Sequence, residues 1–298
     1  MAARDADARS ASSSSSGKTP VPAGNTEAGQ VVFFHVGLGK AASTFLQYAF
    51  FPRLKGIRYL QRTRYRRAPE WLAAQGPGRY LISREFDQQL ERECTWFRNQ
   101  LKGREGVTIV PVIVLRRQDG WFASQYRRHI KNGSPLAFSA FIDAVADQGL
   151  WKLADGLFMP KLRFLEECFD RPPKVLFYED LRADPSVWLQ QFAGLLGATY
   201  DQGAIRLDKV HASYSEHQLL VMRVFSRRWF RQPIAHGKTN WLGRRGRLLA
   251  CYAVLYAARF LPKRWFSEPF IAPAELEAVQ ERFSEDWAEA SKNSVFKR

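Results

Sequence analysis

The residues best placed to do chemistry lie in Val31–Gln47, VVFFHVGLGKAASTFLQ. An apolar run leads into Gly37-Leu38-Gly39, then Lys40, two alanines, and the hydroxyls of Ser43 and Thr44. A strand, a tight loop and a helix start in that order aim backbone N–H groups and the positive end of the helix dipole at one point, which suits an anion, phosphate above all. Gly37 and Gly39 allow close backbone approach, Lys40 brings a mobile charge, and Ser43 and Thr44 sit where a helix start uses hydroxyls. The plainer alternative is a glycine turn followed by a capped helix. Two familiar phosphate loops do not fit. The residue after Lys40 is Ala41, so the hydroxyl that holds magnesium in a Gly-x4-Gly-Lys-Ser/Thr loop is missing. A dinucleotide fingerprint does not fit either, because Gly37-x-Gly39 lacks the distant acidic partner in the right context.

The elements that must position this loop follow an alternating pattern. The strongest strand is Val107–Leu115, VTIVPVIVL, apolar throughout and therefore covered on both faces, with Pro111 an awkward member because it lacks a ladder donor. Arg116 and Arg117 emerge at its carboxyl end, where open α/β sheets bind ligands. Shorter strands are expected at Ile57–Leu60, Tyr80–Ser83 and Lys174–Tyr178. Helices are expected at about Ser43–Phe51, Ala68–Gln75, Asp87–Lys102, Trp121–Lys131, Ala137–Ala146, Phe158–Phe169 and Asp184–Leu196. Leu90, Cys94, Phe97 and Leu101 mark the buried face of the third. Further helices follow at about Ser213–Arg231, Arg247–Leu261 and Pro273–Lys292. The fold class is α/β: a parallel β-sheet flanked by helices, holding a phosphate loop, with a helical C-terminal part. One domain is expected over 30–298, its basic helical region covering about 213–298, behind a disordered Ser/Ala/Gly-rich tail over 1–29.

The formal net charge is +16. The tail adds nothing to it, since Arg4, Arg9 and Lys18 balance Asp5, Asp7 and Glu27. The excess gathers in Arg58–Arg67 and in Val221–Ser267, which holds eleven Lys or Arg and no carboxylate. Such a field favours anionic partners without choosing among nucleotide, nucleic acid, acidic glycan and lipid. The cysteines Cys94, Cys168 and Cys251 are too scattered for a disulfide framework or a zinc site and read as core thiols of a reducing compartment. No secretory signal and no membrane-spanning stretch is read. The segment Leu248–Leu261, LLACYAVLYAARFL, reads as a core helix; the alternative is a helix lying in an anionic membrane surface.

Three blocks together carry a resemblance. HVGLGKAASTFLQ resembles the 5′-phosphosulfate loop of sulfotransferases that use 3′-phosphoadenosine 5′-phosphosulfate (PAPS), in the bacterial and Golgi carbohydrate-type branch. IVLRRQDGWFASQYRR resembles that family's 3′-phosphate block, a strand-end Arg followed eight residues later by Ser, here Arg116 and Ser124. KVLFYEDLRADPSVWLQQFAGLLG resembles its V-x-x-Y-E-D-L segment. The blocks span roughly residues 31–197 in the family's order. The usual Lys-Thr-Gly-Thr-Thr is here Lys40-Ala41-Ala42-Ser43-Thr44, so Ala42 narrows the room for a phosphate; an Asp frequent in the second block is Gly120. His211–Ser215, HASYS, stands where a basic-plus-Ser loop near the 3′-phosphate is expected.

The resemblance implies a sulfuryl transfer from PAPS to an acceptor hydroxyl or amine, of a glycan, glycolipid or small metabolite, with no metal required. Gly37, Gly39, Lys40, Ala41, Ala42, Ser43 and Thr44 are then the 5′ side of the donor site, and Arg116 with Ser124 the 3′ side. Lys40 neutralises the leaving phosphate, and Glu85, in LISREF at a strand exit, takes the acceptor's proton. The plain alternative for Glu85 is pairing with Arg84 or capping the next helix. His35 is read as loop packing, His129 as solvent- or substrate-facing, and His211 and His217 as second choices for the base. The implied partners are PAPS or its product PAP (adenosine 3′,5′-bisphosphate), an acceptor of anionic or lipid-linked type, and no specific nucleic acid. The implied location is cytoplasmic, with peripheral contact at the inner membrane surface. A P-loop nucleotide kinase, disfavoured by Ala41, and a non-catalytic binder of nucleic acid or anionic polymer stand as alternatives.

Overall fold

A computed structural model describes residues 29–205, 214–230, 241–265 and 268–296. The expected tail, apart from Gly29, and His211 of the HASYS segment lie outside the described residues. Five strands, β1 (Gln30–Gly37), β2 (Arg58–Leu60), β3 (Gly78–Glu85), β4 (Val107–Leu115) and β5 (Lys174–Phe177), form one sheet in the order β2-β3-β1-β4-β5. Every pairing is parallel. Pro111 sits one residue before the β4–β5 ladder begins at Val112↔Lys174, so its missing donor falls outside that pairing.

Period-2 alternation sends the strand side chains to two cores. Phe34, Val36, Ile82, Ile113 and Leu115 pack on one face with α3 (Leu90–Leu101) and α7 (Met159–Phe169). The α3 residues Leu90, Cys94, Phe97 and Leu101 are all buried there, as their spacing predicts. Phe33, Leu81, Val112, Val114 and Leu176 pack on the other face with the helix after β1 and with α9 (Pro185–Leu195). Each such side chain contributes about 1.5–3 kcal/mol on burial. The third cluster lies beyond the sheet, where α4 (Gln118–Lys131) meets α10 (Glu216–Trp229), α11 (Trp241–Ala257) and α12 (Pro273–Arg282).

Several expected elements differ. The helix expected over Pro273–Lys292 is broken at Phe283 into α12 and a helix over Ser284–Ser291, and α11 begins at Trp241, ahead of its expected start at Arg247. The single helix over Ser43–Phe51 is instead α1 (Ser43–Phe45), a π-helical turn over Leu46–Phe50 and a 3-10 turn over Phe51–Arg53. The change of pitch leaves the adjacent rings of Phe50 and Phe51 both buried, each against Phe192. The helix expected over Ala137–Ala146 stops at α5 (Phe138–Phe141). Ile142 bridges to Trp151, and the Asp143 carboxylate accepts the N–H groups of Val145 and Ala146, which turns the chain. Strand β3 runs on to Glu85, two residues beyond its expected end.

β1 lies between β3 and β4, and the chain crosses over it from one side of the sheet to the other. That is the switch point of an open α/β sheet, where the loops diverge and leave a crevice at the carboxyl ends. Gly37 pairs with Glu85 across β1–β3, so the loop after β1 and the end of β3 are neighbours by register.

His35, near the end of β1, is fully buried; its Nδ1 lies 2.7 Å from Ser83 Oγ, which also accepts from Gln47 Nε2 at 3.0 Å. Burial lowers its pKa to about 3 from the ordinary 6.5, so the ring is a neutral packing group. Between those values the unfolded chain binds a proton that the folded chain does not, so this contribution to stability is present above 6.5 and is lost as pH falls toward 3. Thermal melts of wild type and His35→Gln from pH 7 to pH 4 check this: the wild-type midpoint falls more steeply with acid than the variant's.

Candidate active site at the carboxyl edge of the sheet

The chain doubles back immediately after β1. A Cβ on Gly37 would lie 2.7 Å from Ser43 Oγ, so only glycine admits the turn. The Ser43 hydroxyl, almost fully buried, donates to the Leu38 carbonyl at 3.0 Å. Its proton therefore closes the loop, and only its oxygen lone pairs remain for other donors. Lys40 and Ala42 both take left-handed backbone, φ +74° and +63°. For residues with a Cβ that conformation costs on the order of 1–3 kcal/mol each and persists only where the surroundings impose it.

The surroundings do impose it. The Gly39 N–H donates to Asp87 Oδ1 at 2.8 Å, and the Gly39 carbonyl accepts from Trp121 Nε1 at 2.8 Å. The Lys40 carbonyl accepts from Arg116 Nη1 at 3.1 Å. One peptide on either side of Lys40 is thus clamped by groups from beyond β3, from α4 and from the end of β4. With the carbonyls drawn away, the N–H groups of Lys40, Ala42, Ser43 and Thr44 form no hydrogen bond among the described residues. Ala41 is fully buried and its N–H turns back to the Leu38 carbonyl at 3.4 Å, while Thr44 is half-buried.

Charge gathers around this loop. Burial first, then Arg128 and Lys131, pulls the Lys40 ammonium below its ordinary range, with Glu85 and Asp87 acting the other way. Glu85 moves oppositely: burial and Asp87 raise its carboxyl, against Arg62, Arg128 and Lys40. Among the described residues the Glu85 carboxylate forms no hydrogen bond or ion pair, so the expected alternative of pairing with Arg84 is not what the geometry holds. Arg84 is exposed and donates to the Arg62 carbonyl.

Arg116 and Arg117 part company at the end of β4. Arg117 forms a two-point pair with Asp119, Nε to Oδ1 at 2.7 Å, and its N–H donates to Glu179 Oε1 at 2.9 Å. Arg116 turns inward, its guanidinium carbon 4.6 Å from the Tyr178 ring centre. A Cβ on Gly120 would lie 3.2 Å from Arg116 Nε, so the residue missing its side chain there makes room for the guanidinium. Ser124 follows Gly120 by one turn of α4 and shares its face. The segment Tyr178-Glu179 thus docks onto the end of β4.

The structure brings Lys40, Glu85 and Arg116 to adjacent strand ends, and Ser124 lies one turn along α4 from Gly120, the residue that faces the Arg116 guanidinium. The other sequence-predicted histidines go elsewhere. His129 is half-buried against Phe141, burial lowering its pKa, and His217 Nε2 lies 3.0 Å from the Ala258 carbonyl. Sequence reasoning missed Asp87, Trp121 and Gln125, and it left Arg128, with Arg127 and Lys131, as facing either the cleft or solvent. Gln125 Nε2 reaches Asp87 Oδ1 at 3.3 Å, and Arg128 Nη2 reaches Asp87 Oδ2 at 3.3 Å. Asp87 reads as a helix start, and its one other signal is a positive φ of 24°, which no sequence displays. Clefts of about 420 and 490 Å³ occur at the opposite, amino-terminal edge of the sheet, lined by Arg98, Lys102 and Asp170 and by Gln30, Gln75 and Arg104. Neither is lined by the site residues above. Among the described residues no three His, Cys, Asp or Glu are grouped to hold a metal ion.

No family model matches the chain, and no curated protein matches it. Two solved structures align with most of it. A sulfotransferase from Alicyclobacillus acidocaldarius is 14% identical over 78% of this chain and 97% of that one, with a TM-score of 0.40. Mouse sulfotransferase SULT7A1 complexed with PAP is 12% identical over 88% of this chain and 86% of that one, with a TM-score of 0.41. At that level of similarity the roles of residues here rest on the geometry of this chain alone.

Replacing Asp87 with Ala removes the acceptor that pins Gly39 and leaves Arg128 unpaired. Losing a charge-assisted bond of this kind costs about 1.5–3 kcal/mol. Urea denaturation checks this: the Asp87→Ala midpoint drops accordingly with an unchanged slope.

Proposed function

We propose that this chain is a sulfotransferase that moves a sulfuryl group from PAPS to an acceptor hydroxyl of a glycan, glycolipid or small metabolite. The observation that carries the reading is the convergence of Lys40, Glu85 and Arg116 at three adjacent strand ends, around a loop in which the N–H groups of Lys40, Ala42, Ser43 and Thr44 form no hydrogen bond among the described residues. The donor is anionic at both ends, and the chain offers two separate cationic grips to match. The Lys40 side chain and the N–H groups of Lys40, Ala42, Ser43 and Thr44 suit the 5′-phosphosulfate. Arg116 and Ser124 suit the 3′-phosphate, with Gly37 and Gly39 keeping the backbone close. The crowding of Lys40 by Arg128 and Lys131 fits a site that is relieved by an anion.

When bound, the donor supplies the sulfuryl group through a loose, in-line transfer akin to phosphoryl transfer. Lys40 meets the negative charge that grows on the leaving phosphate oxygen. Glu85 accepts the acceptor's hydroxyl proton, a role suited to a carboxylate that has no pairing partner and a raised pKa. Arg116 and Ser124 fix the nucleotide, which converts encounter into orientation. Ala41 after Lys40 offers no hydroxyl for magnesium, which favours sulfuryl transfer over a kinase of the phosphate-loop type.

A transfer assay with sulfur-labelled PAPS across acceptor classes tests this. Lys40→Ala is expected to lose about 10²–10³-fold in turnover. Glu85→Gln is expected to lose turnover while keeping its affinity for adenosine 3′,5′-bisphosphate. Magnesium-dependent phosphate transfer from ATP, with none of sulfate, would contradict the reading.

The rate also carries a pH signature. Glu85 must be ionised to act as base, and its pKa lies above the ordinary 4.5, so the rate climbs with pH through a value higher than that. Lys40 must be protonated, and its pKa lies below the ordinary 10.5, so the alkaline fall comes early. The acid limb disappears in Glu85→Gln if Glu85 is the base; a wild-type limb in that variant assigns the proton to another group.

A further inference from the structure

Helix α11 is apolar on two opposite sides. Its inner side, Cys251, Leu255 and Ala258 just past its end, is buried against α10 and α4. A helix serving only as a core element would turn polar residues outward. Here the outward line is Leu249 (69% exposed), Tyr252 (47%), Tyr256 (61%) and Phe260 (77%), at spacings of three and four residues. The sequence expectation of a core helix thus holds for one side only. Two exposed tryptophans flank the line in sequence, Trp229 at the end of α10 and Trp265 (66% and 63%).

The charge on this region has one sign. Val221–Ser267 contains eleven Lys or Arg and no carboxylate. The cations are interleaved with the rings: Arg259 lies 5.4 Å from the Tyr256 ring centre, Arg228 5.3 Å from Trp229, and Lys131 5.8 Å from Tyr252. Exposed apolar rings beside long cationic side chains are what a bilayer interface rewards. The rings and Leu249 enter the acyl boundary while the guanidinium and ammonium groups reach lipid phosphates. A second copy of this chain would set the same cations against themselves and fits poorly. Among the described residues no helix is long and apolar enough to cross a membrane, so the helix would lie on the surface.

We propose that the outward face of α11 docks on the surface of an anionic phospholipid bilayer. The full chain is tested by flotation with vesicles of phosphatidylcholine alone and with about one third phosphatidylglycerol added. Binding at least about tenfold tighter to the anionic vesicles, weakened by salt, is expected. The double variant Leu249→Ser, Phe260→Ser should lose about tenfold in that binding with an unchanged melting temperature, since both side chains are exposed. Single Phe260→Ser serves in its place if the pair alters the melt. Arg259→Gln with Arg264→Gln should reduce the preference for anionic vesicles. Equal binding to both vesicles, no binding to either, or wild-type binding by the apolar variants would overturn the proposal. So would a vesicle-free dimer that the same apolar substitutions dissociate, which would assign the face to a second copy.

Discussion

One carboxylate organises the site. Asp87, just past the end of β3, accepts the Gly39 N–H, is reached by Gln125 and pairs with Arg128. These contacts reach it from the β1 loop and from α4, and they hold Lys40 and Ala42 in left-handed backbone that neither side chain favours. The consequence is a loop with its carbonyls tied to Trp121 and Arg116, in which the N–H groups of Lys40, Ala42, Ser43 and Thr44 form no hydrogen bond among the described residues. A preorganised donor set of that kind works because no reorganisation is needed when a charge arrives.

The same constraint sets the electrostatics. Bringing Asp87 to the loop also brings Arg128 near Lys40 and Glu85, so a cation and an acid each sit in a crowded, half-buried place. Desolvation is the largest influence on both and pushes them toward their neutral forms, Lys40 downward and Glu85 upward. Neither is neutralised by the other, since no ion pair forms between them. An ammonium able to meet an anion and a carboxylate able to take a proton therefore coexist at one edge of the sheet.

Much of this was legible in the sequence because it is carried by local pattern. Val107–Leu115 had the bounds of its strand, and the α3 spacing named its buried face, since both are readings of period and apolarity. The Gly37-x-Gly39-Lys40 loop and the strand-end arginines were visible for the same reason. What was hidden depends on distant partners. Ser43 looked like a ligand and spends its proton on Leu38; Arg117 looked equivalent to Arg116 until Asp119 claimed it. The hidden centre was Asp87, whose role comes from register and backbone angle, not from its neighbours in the chain. The outward face of α11 was half legible: its apolarity was plain, but which side was covered required the packing of α10 and α4.

The central claim is that this edge of the sheet grips a nucleotide at two separated phosphates without a metal. Titration calorimetry of the full chain with adenosine 3′,5′-bisphosphate and with ATP, each in chelator and then with magnesium, tests it most directly. The account predicts that the bisphosphate binds about equally in both conditions and at least about tenfold more tightly than ATP, the equivalent of 1.4 kcal/mol. Tighter binding of ATP that depends on magnesium, or no binding of the bisphosphate, would contradict it.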